Sequence, residues 1–386
     1  MPSGGSSRTA IPDDERLKLW VRSGGRCALC KGYLLEGDLT SRTLFIGEMA
    51  HMVGQAHTAA SPRGKNELPV EALNLADNLL LLCPSCHTEI DKRGSLDLVT
   101  VEWLKERKRE HEARIRQATG LDPIRQTAIV RMVGDLRGRS VELGVATAAN
   151  AVVTTDARFP RFPLSADGSG IEIDLRQMPG EAQPSATYWE TCRAKIDETI
   201  DFRLVEAVRR GDVKHVSVFA FARLPLLTYL GSRLDDTYEV EVYQRQRSDE
   251  SWGWPGTGTA ATFTTSRSEP AGREAVLLLN VSGTIDPADL PDDVRDLPRF
   301  AVVIDGLPDV DAIASRASLA AFEVAIRALL ASFEAGGKTI RRLHVFAALP
   351  ISAAVVLGRA HDRHVHPTLA MYDRTDGAYA LALEIS

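Results

Sequence analysis

The chain has 386 residues, of which 25% are charged, and its formal net charge is −6. This length exceeds one typical hydrophobic core, so two or three domains are expected. The first residues are rich in Ser and Gly without an apolar stretch, and no window approaches the roughly 18 apolar residues of a membrane span. These features argue against a secreted or membrane protein and favour a cytoplasmic one.

Charge is unevenly distributed along the chain. Residues 1–120 contain 17 Lys and Arg against 16 Asp and Glu, whereas the remainder contains 29 against 36. So little excess positive charge excludes a constitutive basic clamp for nucleic acid. Phosphate binding would need a local basic patch, a bound metal ion or the assembly of several copies. The candidate residues for a basic patch are Arg22, Arg26, Arg42, Arg63, Lys65, Lys92 and Arg93.

Two Cys-x-x-Cys pairs are the strongest motif in the first part of the chain, at Cys27/Cys30 and Cys83/Cys86. Each pair can supply two thiolates, and the two pairs together can complete a tetrahedral Zn²⁺ site. A closed all-thiolate site of this kind is structural. The remaining Cys192 is expected to be a small buried apolar residue.

Two histidines and an asparagine accompany the cysteine pairs. His51 follows a β-rich run, Asn78 opens an apolar run into the second pair, and His87 directly follows that pair. The segment 85–92 can form a short helix that ends before Gly94. This combination resembles the zinc-bearing form of the HNH nuclease family, and the resemblance covers roughly residues 20–92.

The HNH resemblance implies a Zn-stabilised ββα-metal fold that hydrolyses DNA phosphodiester bonds with a general base and a divalent cation such as Mg²⁺. His51 is the predicted general base, and His87 the predicted cation ligand. Asn78 either binds the cation or braces the loop that carries His51. Glu48 and Asp91 are further candidate cation ligands. Many family members have an acidic residue directly before the first histidine, where this chain has an alanine.

A charge-laced helix follows, from about Leu96 to Thr119, with many opposite charges three or four residues apart. It is predicted to be a linker over residues 96–125, between an N-terminal domain at 1–95 and a C-terminal domain at 126–386. His111 lies on its charged face and is expected to be exposed to solvent.

The C-terminal part contains an internal repeat. Val218-Phe-Ala and Val345-Phe-Ala lie 127 residues apart, as do Leu230-Gly and Leu357-Gly, and Tyr243-Gln-Arg is matched at a spacing of 129 by Tyr372-Asp-Arg. Apolar runs alternate with helix-like segments throughout this part. We therefore expect two Rossmann-like α/β lobes with buried parallel strands, at about 126–270 and 271–386.

Two related lobes would form a pseudo-twofold cleft at the carboxyl ends of their strands. A ligand with approximate twofold symmetry, such as a cyclic dinucleotide, fits such a cleft. The sequence contains neither a Gly-x-Gly-x-x-Gly motif nor a Walker loop, which argues against a dinucleotide cofactor or a nucleoside triphosphate. Aromatic rings could stack on bases and guanidinium groups could bind phosphates. Core packing is the alternative role for the two tryptophans. The candidate ligand-binding residues are Tyr243, Arg245, Trp252, Trp254, Tyr372 and Arg374.

The chain as a whole resembles the HNH-SAVED effectors of bacterial CBASS anti-phage systems, in which a SAVED domain of two CARF-like lobes is fused to a nuclease. The resemblance implies that a cyclic di- or oligonucleotide binds the SAVED domain and activates degradation of double-stranded DNA. Because the nearly balanced charge of the nuclease part favours assembly of several copies, we also expect a homo-oligomer, a dimer that forms higher assemblies on activation. Two alternatives stay open: a modification-dependent HNH restriction endonuclease that reads altered bases, and a non-enzymatic zinc-containing DNA-binding regulator.

Overall fold

The computed structural model describes residues 10–36, 42–54, 61–64, 68–120, 122–136, 138–161, 170–254, 260–268, 272–335 and 340–386. The chain divides into two compact units, residues 1–121 and 122–386. Within the described ranges, no helix is both long enough and apolar enough to cross a membrane.

The first unit is built around a small antiparallel sheet. Its elements are α1 (Asp13–Ser23), β1 (Glu48–His51), β2 (Leu79–Leu82), α2 (Pro84–Ile90) and α3 (Val101–Thr119). The four leucines of β2 are fully buried, which explains why this apolar run forms a strand inside the core of the unit. His51 at the end of β1 lies opposite Leu79 at the start of β2.

Helix α3 packs inside the first unit, although its segment was predicted to be a linker. The side chain of Thr100 caps its first turn, and Leu104 is fully buried. His111 is also buried, in contrast to the expected exposure, with Nε2 3.1 Å from the Ser23 carbonyl and Nδ1 3.2 Å from Lys31 Nζ. This burial lowers the pKa of His111.

The first lobe of the second unit is a five-stranded parallel sheet with flanking helices. The long strand β3 pairs with three other strands, β4, β5 and β6. The sheet order is β4-β3-β6-β7, with β5 also paired to β3. The elements are β3 (Asp122–Gly134), α4 (Val145–Asp156), β4 (Arg158–Arg161), β5 (Ile171–Leu175), α5 (Ala186–Thr199), a π-helical segment (Ile200–Val205), α6 (Glu206–Arg209), β6 (His215–Phe221), α7 (Leu224–Ser232) and β7 (Glu239–Tyr243).

The second lobe has six strands in the order β13-β12-β11-β9-β10-β8, and its two edge strands are antiparallel to their neighbours. Its first strand lies N-terminal to the expected lobe boundary near residue 270. The elements are β8 (Phe263–Arg267), β9 (Glu274–Asn280), β10 (Arg299–Ile304), α8 (Arg316–Ala335), β11 (Arg342–Ala348), α9 (Ile351–Ala360), β12 (Thr368–Thr375) and β13 (Ala378–Ile385). Both lobes have the expected Rossmann-like architecture of buried parallel strands and helices.

The sequence repeat coincides with equivalent elements of the two lobes. The unit β6-α7-β7 corresponds to β11-α9-β12. Each copy contains a stacked aromatic pair between its two strands, Phe219 on Tyr243 with ring centroids 4.2 Å apart and Phe346 on Tyr372 at 4.4 Å. The repeat is therefore structural as well as sequential.

Helices α7 and α9 cross at a pair of repeat-related glycines. A Cβ on Gly231 would overlap the carbonyl group of Val355, and a Cβ on Gly358 would overlap that of Thr228. Thr228 and Val355 are themselves separated by the repeat spacing of 127. The contact is thus reciprocal, as a pseudo-twofold relation between the lobes requires, and glycine permits the close approach of the two backbones.

Candidate functional site

The four predicted zinc ligands converge on one point. The sulfur atoms of Cys27, Cys30, Cys83 and Cys86 all lie within 4.8 Å of one another. Cys30 Sγ and Cys83 Sγ are 3.7 Å apart, close to the edge of about 3.8 Å that a tetrahedron with Zn–S bonds of 2.3 Å would have. All four cysteines are free thiols. This donor set fits a structural Zn²⁺ ion.

Local backbone groups favour the thiolate form of Cys27, one member of this cluster. Burial acts to raise the pKa of Cys27, but backbone N–H groups of Cys83, Cys30 and Leu29 outweigh it and lower the pKa to about 7. The side chain of Cys83 caps α2 by accepting from the Cys86 backbone N–H at 3.4 Å. The second cysteine pair therefore also defines the start of the helix that carries His87.

His51 lies at the end of β1 and is partly exposed. Its Nε2 is 2.9 Å from Asn74 Oδ1. With that oxygen as acceptor, the neutral imidazole has its proton on Nε2 and its basic lone pair on Nδ1. Asn74 was not recognised from the sequence, because an asparagine 23 residues away carries no spacing signal.

Asn78 braces the segment that follows His51. It is buried, its Oδ1 accepts from Val53 N at 3.0 Å, and its Nδ2 donates to Val53 O at 3.1 Å and to Leu73 O at 2.9 Å. The amide is therefore occupied by backbone groups on both of its ends. Of the two roles that the sequence left open for Asn78, this geometry favours bracing over cation binding.

His87 lies between the two carboxylates proposed as cation ligands. Its Nδ1 is 2.7 Å from Glu48 Oε2, and its Nε2 is 3.6 Å from Asp91 Oδ2. The carboxylates are on opposite sides of the ring, so the three groups do not surround a single point. Within the described residues, the four cysteines form the one group of three or more His, Cys, Asp and Glu side chains whose ligand atoms lie close enough together for a metal ion.

Arg63 links the His51 segment to the end of α2. Its guanidinium donates to Met52 O at 2.8 Å, to Ile90 O at 2.8 Å and to Asp91 Oδ1 at 2.6 Å. Its side chain is only 6% exposed, so it is unavailable as the DNA contact that was considered for it. Lys65, from the same list of basic residues, lies outside the described residues.

In the second unit, side chains cross between the lobes at the carboxyl ends of the repeat-related strands. Arg223, at the start of α7, is buried and pairs with Asp373 of β12 at 2.6 Å and with Glu181 at 2.7 Å. At the equivalent position of the other copy, the Gln244 Oε1 accepts from the Ser352 hydroxyl at 2.7 Å and from its backbone N–H at 3.2 Å. Each lobe thus contacts the first turn of the other lobe's helix.

Two cavities border the paired strands β12 and β13, and Ala380 lines both of them. A cavity of about 170 Å³ at the carboxyl end of β12 is lined by Asp373, Thr375, Trp189 and Gln183. A larger one of about 460 Å³ lies beside the first residues of β9 and β11 and is lined by His344, Tyr372 and other residues. The first cavity is at the end of the sheet where ligands of α/β folds bind.

Four of the six candidate ligand-binding residues lie in or near the first lobe. Tyr243 is 1% exposed, and its hydroxyl donates to Asp156, so in this position it stabilises the core and is not presented to a ligand. Trp252 is buried edge-to-face against Phe219, and Trp254 packs against the main core. Core packing was the alternative given for both tryptophans. Arg245 is paired with Glu250 at 3.0 Å.

The other two candidates lie on β12. Tyr372 lines the larger cavity, and its hydroxyl is 3.1 Å from the Nδ1 of the buried His344. Arg374 is exposed and pairs with Asp289 at 2.9 Å. The six residues therefore do not form a single pocket, since the two tyrosines are on repeat-related strands but have different surroundings.

Comparison with known proteins identifies most of the second unit. Residues 197–385 match the family described as "SMODS-associated and fused to various effectors sensor domain", or SAVED. These residues are therefore similar to a SAVED sensor domain. The match confirms the SAVED prediction for this part of the chain, and it spans the whole repeat. The strands β3–β5 lie outside the matched range although they belong to the same sheet as β6.

Solved structures of SAVED/CARF-domain receptors are similar to this chain. Acinetobacter baumannii Cap4 with the cyclic trinucleotide 2′3′3′-cAAA has 17% identity and a TM-score of 0.43, covering 78% of this chain and 61% of its own. Moraxella osloensis Cap4 has 16% identity and a TM-score of 0.42, covering 82% and 68%. This chain thus spans about three fifths of the length of the Acinetobacter receptor. No curated protein matches the chain.

Proposed function

We propose that this protein is a metal-dependent DNA endonuclease that is activated when a cyclic oligonucleotide binds its SAVED domain, as in CBASS anti-phage defence. One observation carries the nuclease part: the two cysteine pairs converge on a zinc-sized site, and the second pair lies in the β1-β2-α2 segment that also contains His51, Asn78 and His87. The SAVED match carries the sensor part.

Zn²⁺ has a structural role in this proposal. Cys27, Cys30, Cys83 and Cys86 would hold it, and a four-thiolate site leaves no open position for substrate. Because α2 begins at the second cysteine pair, metal binding would fix the helix that carries His87. The zinc site would thereby stabilise the catalytic residues without taking part in hydrolysis.

His51 and His87 have different roles in the proposed chemistry. His51 accepts a proton from the attacking water through Nδ1, while Asn74 holds its Nε2 proton and Asn78 supports the following backbone. His87, oriented by Glu48 on Nδ1, presents Nε2 on the side of Asp91. This imidazole and carboxylate are the groups that would hold a divalent cation such as Mg²⁺, which would stabilise charge on the phosphate and leaving oxygen.

The contacts between the two lobes support a sensor that responds to its ligand as one body. The pairs Arg223–Asp373 and Gln244–Ser352 join the lobes next to the carboxyl ends of the repeat-related strands. A cyclic oligonucleotide bound at this end would contact both copies of the repeat. It would activate the protein only to the extent that it binds the active assembly more tightly than the resting one.

Plasmid digestion tests the proposal directly. Full-length protein is incubated with supercoiled DNA and Mg²⁺, with or without 2′3′3′-cAAA, 3′3′3′-cAAA and a panel of cyclic dinucleotides. We expect cleavage only with an activating nucleotide, and a loss of at least about a hundredfold in rate for His51→Ala. His364→Ala, which changes an exposed histidine outside this site, is the matched control and should retain full activity.

The outcomes of the digestion separate the alternatives. Cleavage that depends on base modification and needs no nucleotide would indicate a modification-dependent restriction enzyme. DNA binding without cleavage, unchanged by His51→Ala, would indicate a regulator. Light scattering with and without the activating nucleotide tests the proposed oligomerisation, and an unchanged mass alongside full activation would exclude it.

A further inference from the structure

Helix α3 presents a row of basic side chains next to the proposed nuclease site. Lys105, Arg109 and Arg116 are exposed and lie within about 40° of one another around the helix axis, because each residue advances about 100°. All three line a cavity of about 340 Å³ whose other walls include Met52 and Asp77. Met52 directly follows His51, and Asp77 directly precedes Asn78. We call these three side chains the α3 basic row.

The position of the basic row relative to His51 is fixed by buried contacts. Lys108, on the edge of the same face, donates from Nζ to the Leu79 backbone carbonyl at 2.9 Å, and Leu79 is the residue paired with His51 in the sheet. Leu104 is fully buried one turn earlier. The helix is therefore anchored to the strand pair that carries the proposed general base, and its exposed cations are held beside it.

The charges around the cavity leave a positive excess. The two acids of its lining already hold ion pairs, Asp77 with Arg22 at 2.6 Å and Glu112 with Lys108. Arg109 pairs with Glu106. Within the described part of the chain, Lys105 and Arg116 have no carboxylate in ion-pair distance. These two cations are available to an anionic partner.

We infer that the α3 basic row binds the phosphates of duplex DNA that flank the bond to be cut, so that α3 positions the substrate; this rests on the proposed nuclease function. From Lys105 to Arg116 the helix rises about 17 Å, equivalent to about five nucleotides of one strand at 3.4 Å each. Cations on a rigid helix bind phosphates without sequence preference. This supplies the local basic patch that the nearly balanced charge of residues 1–120 requires.

The test compares two double variants of the same helix with the same change in net charge. Lys105→Gln/Arg116→Gln removes the unpaired cations of the basic row. Arg107→Gln/Arg114→Gln removes two cations about 160–180° away on the helix. Both are made in full-length protein with His51→Ala, so that no DNA is cut, and binding of a labelled 30-base-pair duplex is measured by fluorescence anisotropy between 50 and 200 mM salt, with and without the cyclic trinucleotides.

We expect the basic-row variant to raise the Kd on the order of tenfold and to lower the slope of log K against log salt by about 1.8, since each lost phosphate contact removes about 0.9. The Arg107/Arg114 control should keep the slope of the parent protein. In the cleavage assay with His51 restored, the basic-row variant should raise KM with little change in kcat, as expected for lost substrate binding.

Equal effects of the two double variants would overturn the inference, because they would reflect overall charge alone. An unchanged slope for the basic-row variant would overturn it as well. If the parent protein binds no duplex DNA under any of these conditions, both the inference and the proposed nuclease function fail. DNA binding and cleavage that are insensitive to the basic row would leave the proposed function in place and reject only this role of α3.

Discussion

The crossing of α7 and α9 gives a strong prediction about stability. Changing Gly358 to alanine would place a Cβ over the Thr228 carbonyl group and 2.8 Å from the Ser232 backbone nitrogen, whereas ordinary contacts begin at 3.4 Å. Both obstacles are backbone atoms in a helix, so neither can rotate away. The helices must separate, and every side chain packed between them loses contacts.

The magnitude follows from two opposing terms. Replacing a helical glycine by alanine stabilises a helix by about 1 kcal/mol when there is room, while overpacking a core usually costs about 1–3 kcal/mol and occasionally more. Because the obstacle here is rigid and central to the contact between the lobes, we expect a net loss of about 2 kcal/mol or more. This corresponds to a decrease in Tm of about 4–8 °C for a unit of this size.

Thermal unfolding followed by circular dichroism measures this effect, with Gly231→Ala as the repeat-related variant that should behave similarly. Gly283→Ala is the matched control in the same unit, since its Cβ would lie an ordinary 3.7 Å from the Ala348 Cβ. Its Tm should change little. A Gly358→Ala protein that melts at or above the wild-type temperature would refute the close reciprocal crossing.

Three further predictions concern the zinc site, the segment after His51 and the pH dependence of stability. Cys86→Ser should lose the bound zinc, about one ion per chain in the parent protein by atomic absorption, whereas Cys192→Ala should retain it; equal zinc contents would contradict the site. Arg63→Lys cannot make the three-way contact of the guanidinium, so it should lose about 2 kcal/mol in urea unfolding and most of the nuclease activity, and an unaffected nuclease would exclude its bracing role. Burial lowers the pKa of His215 to about 4, so between about pH 6.5 and 4 the unfolded chain binds a proton that the folded chain does not. The contribution of His215 to the free energy of unfolding is therefore complete above pH 6.5 and decreases by about 3 kcal/mol on going to pH 4. In His215→Gln this part of the pH dependence should disappear.

The local patterns of the sequence determined much of the architecture. The spacing of the cysteines predicted a cluster whose four sulfurs converge. The 127-residue repeat predicted two related α/β lobes, and the SAVED match covers both copies. These predictions succeed because Cys-x-x-Cys geometry and the alternation of apolar strands with helices are set by residues close together in the sequence. They do not depend on contacts with distant residues.

Only the tertiary structure decided which polar and aromatic side chains are available for function. Tyr243 and Tyr372 occupy equivalent positions in the repeat. The Tyr243 hydroxyl is hydrogen-bonded to Asp156 of α4, whereas Tyr372 lines a cavity. In the sequence Arg63 is a candidate for binding DNA phosphate, but in the structure its guanidinium donates hydrogen bonds to three groups of the same unit. Burial and hydrogen bonding of this kind depend on residues distant in sequence, so no local pattern records them. For the same physical reason, the packing of α3 beside His51 could not be predicted from the sequence and is known only from the tertiary structure.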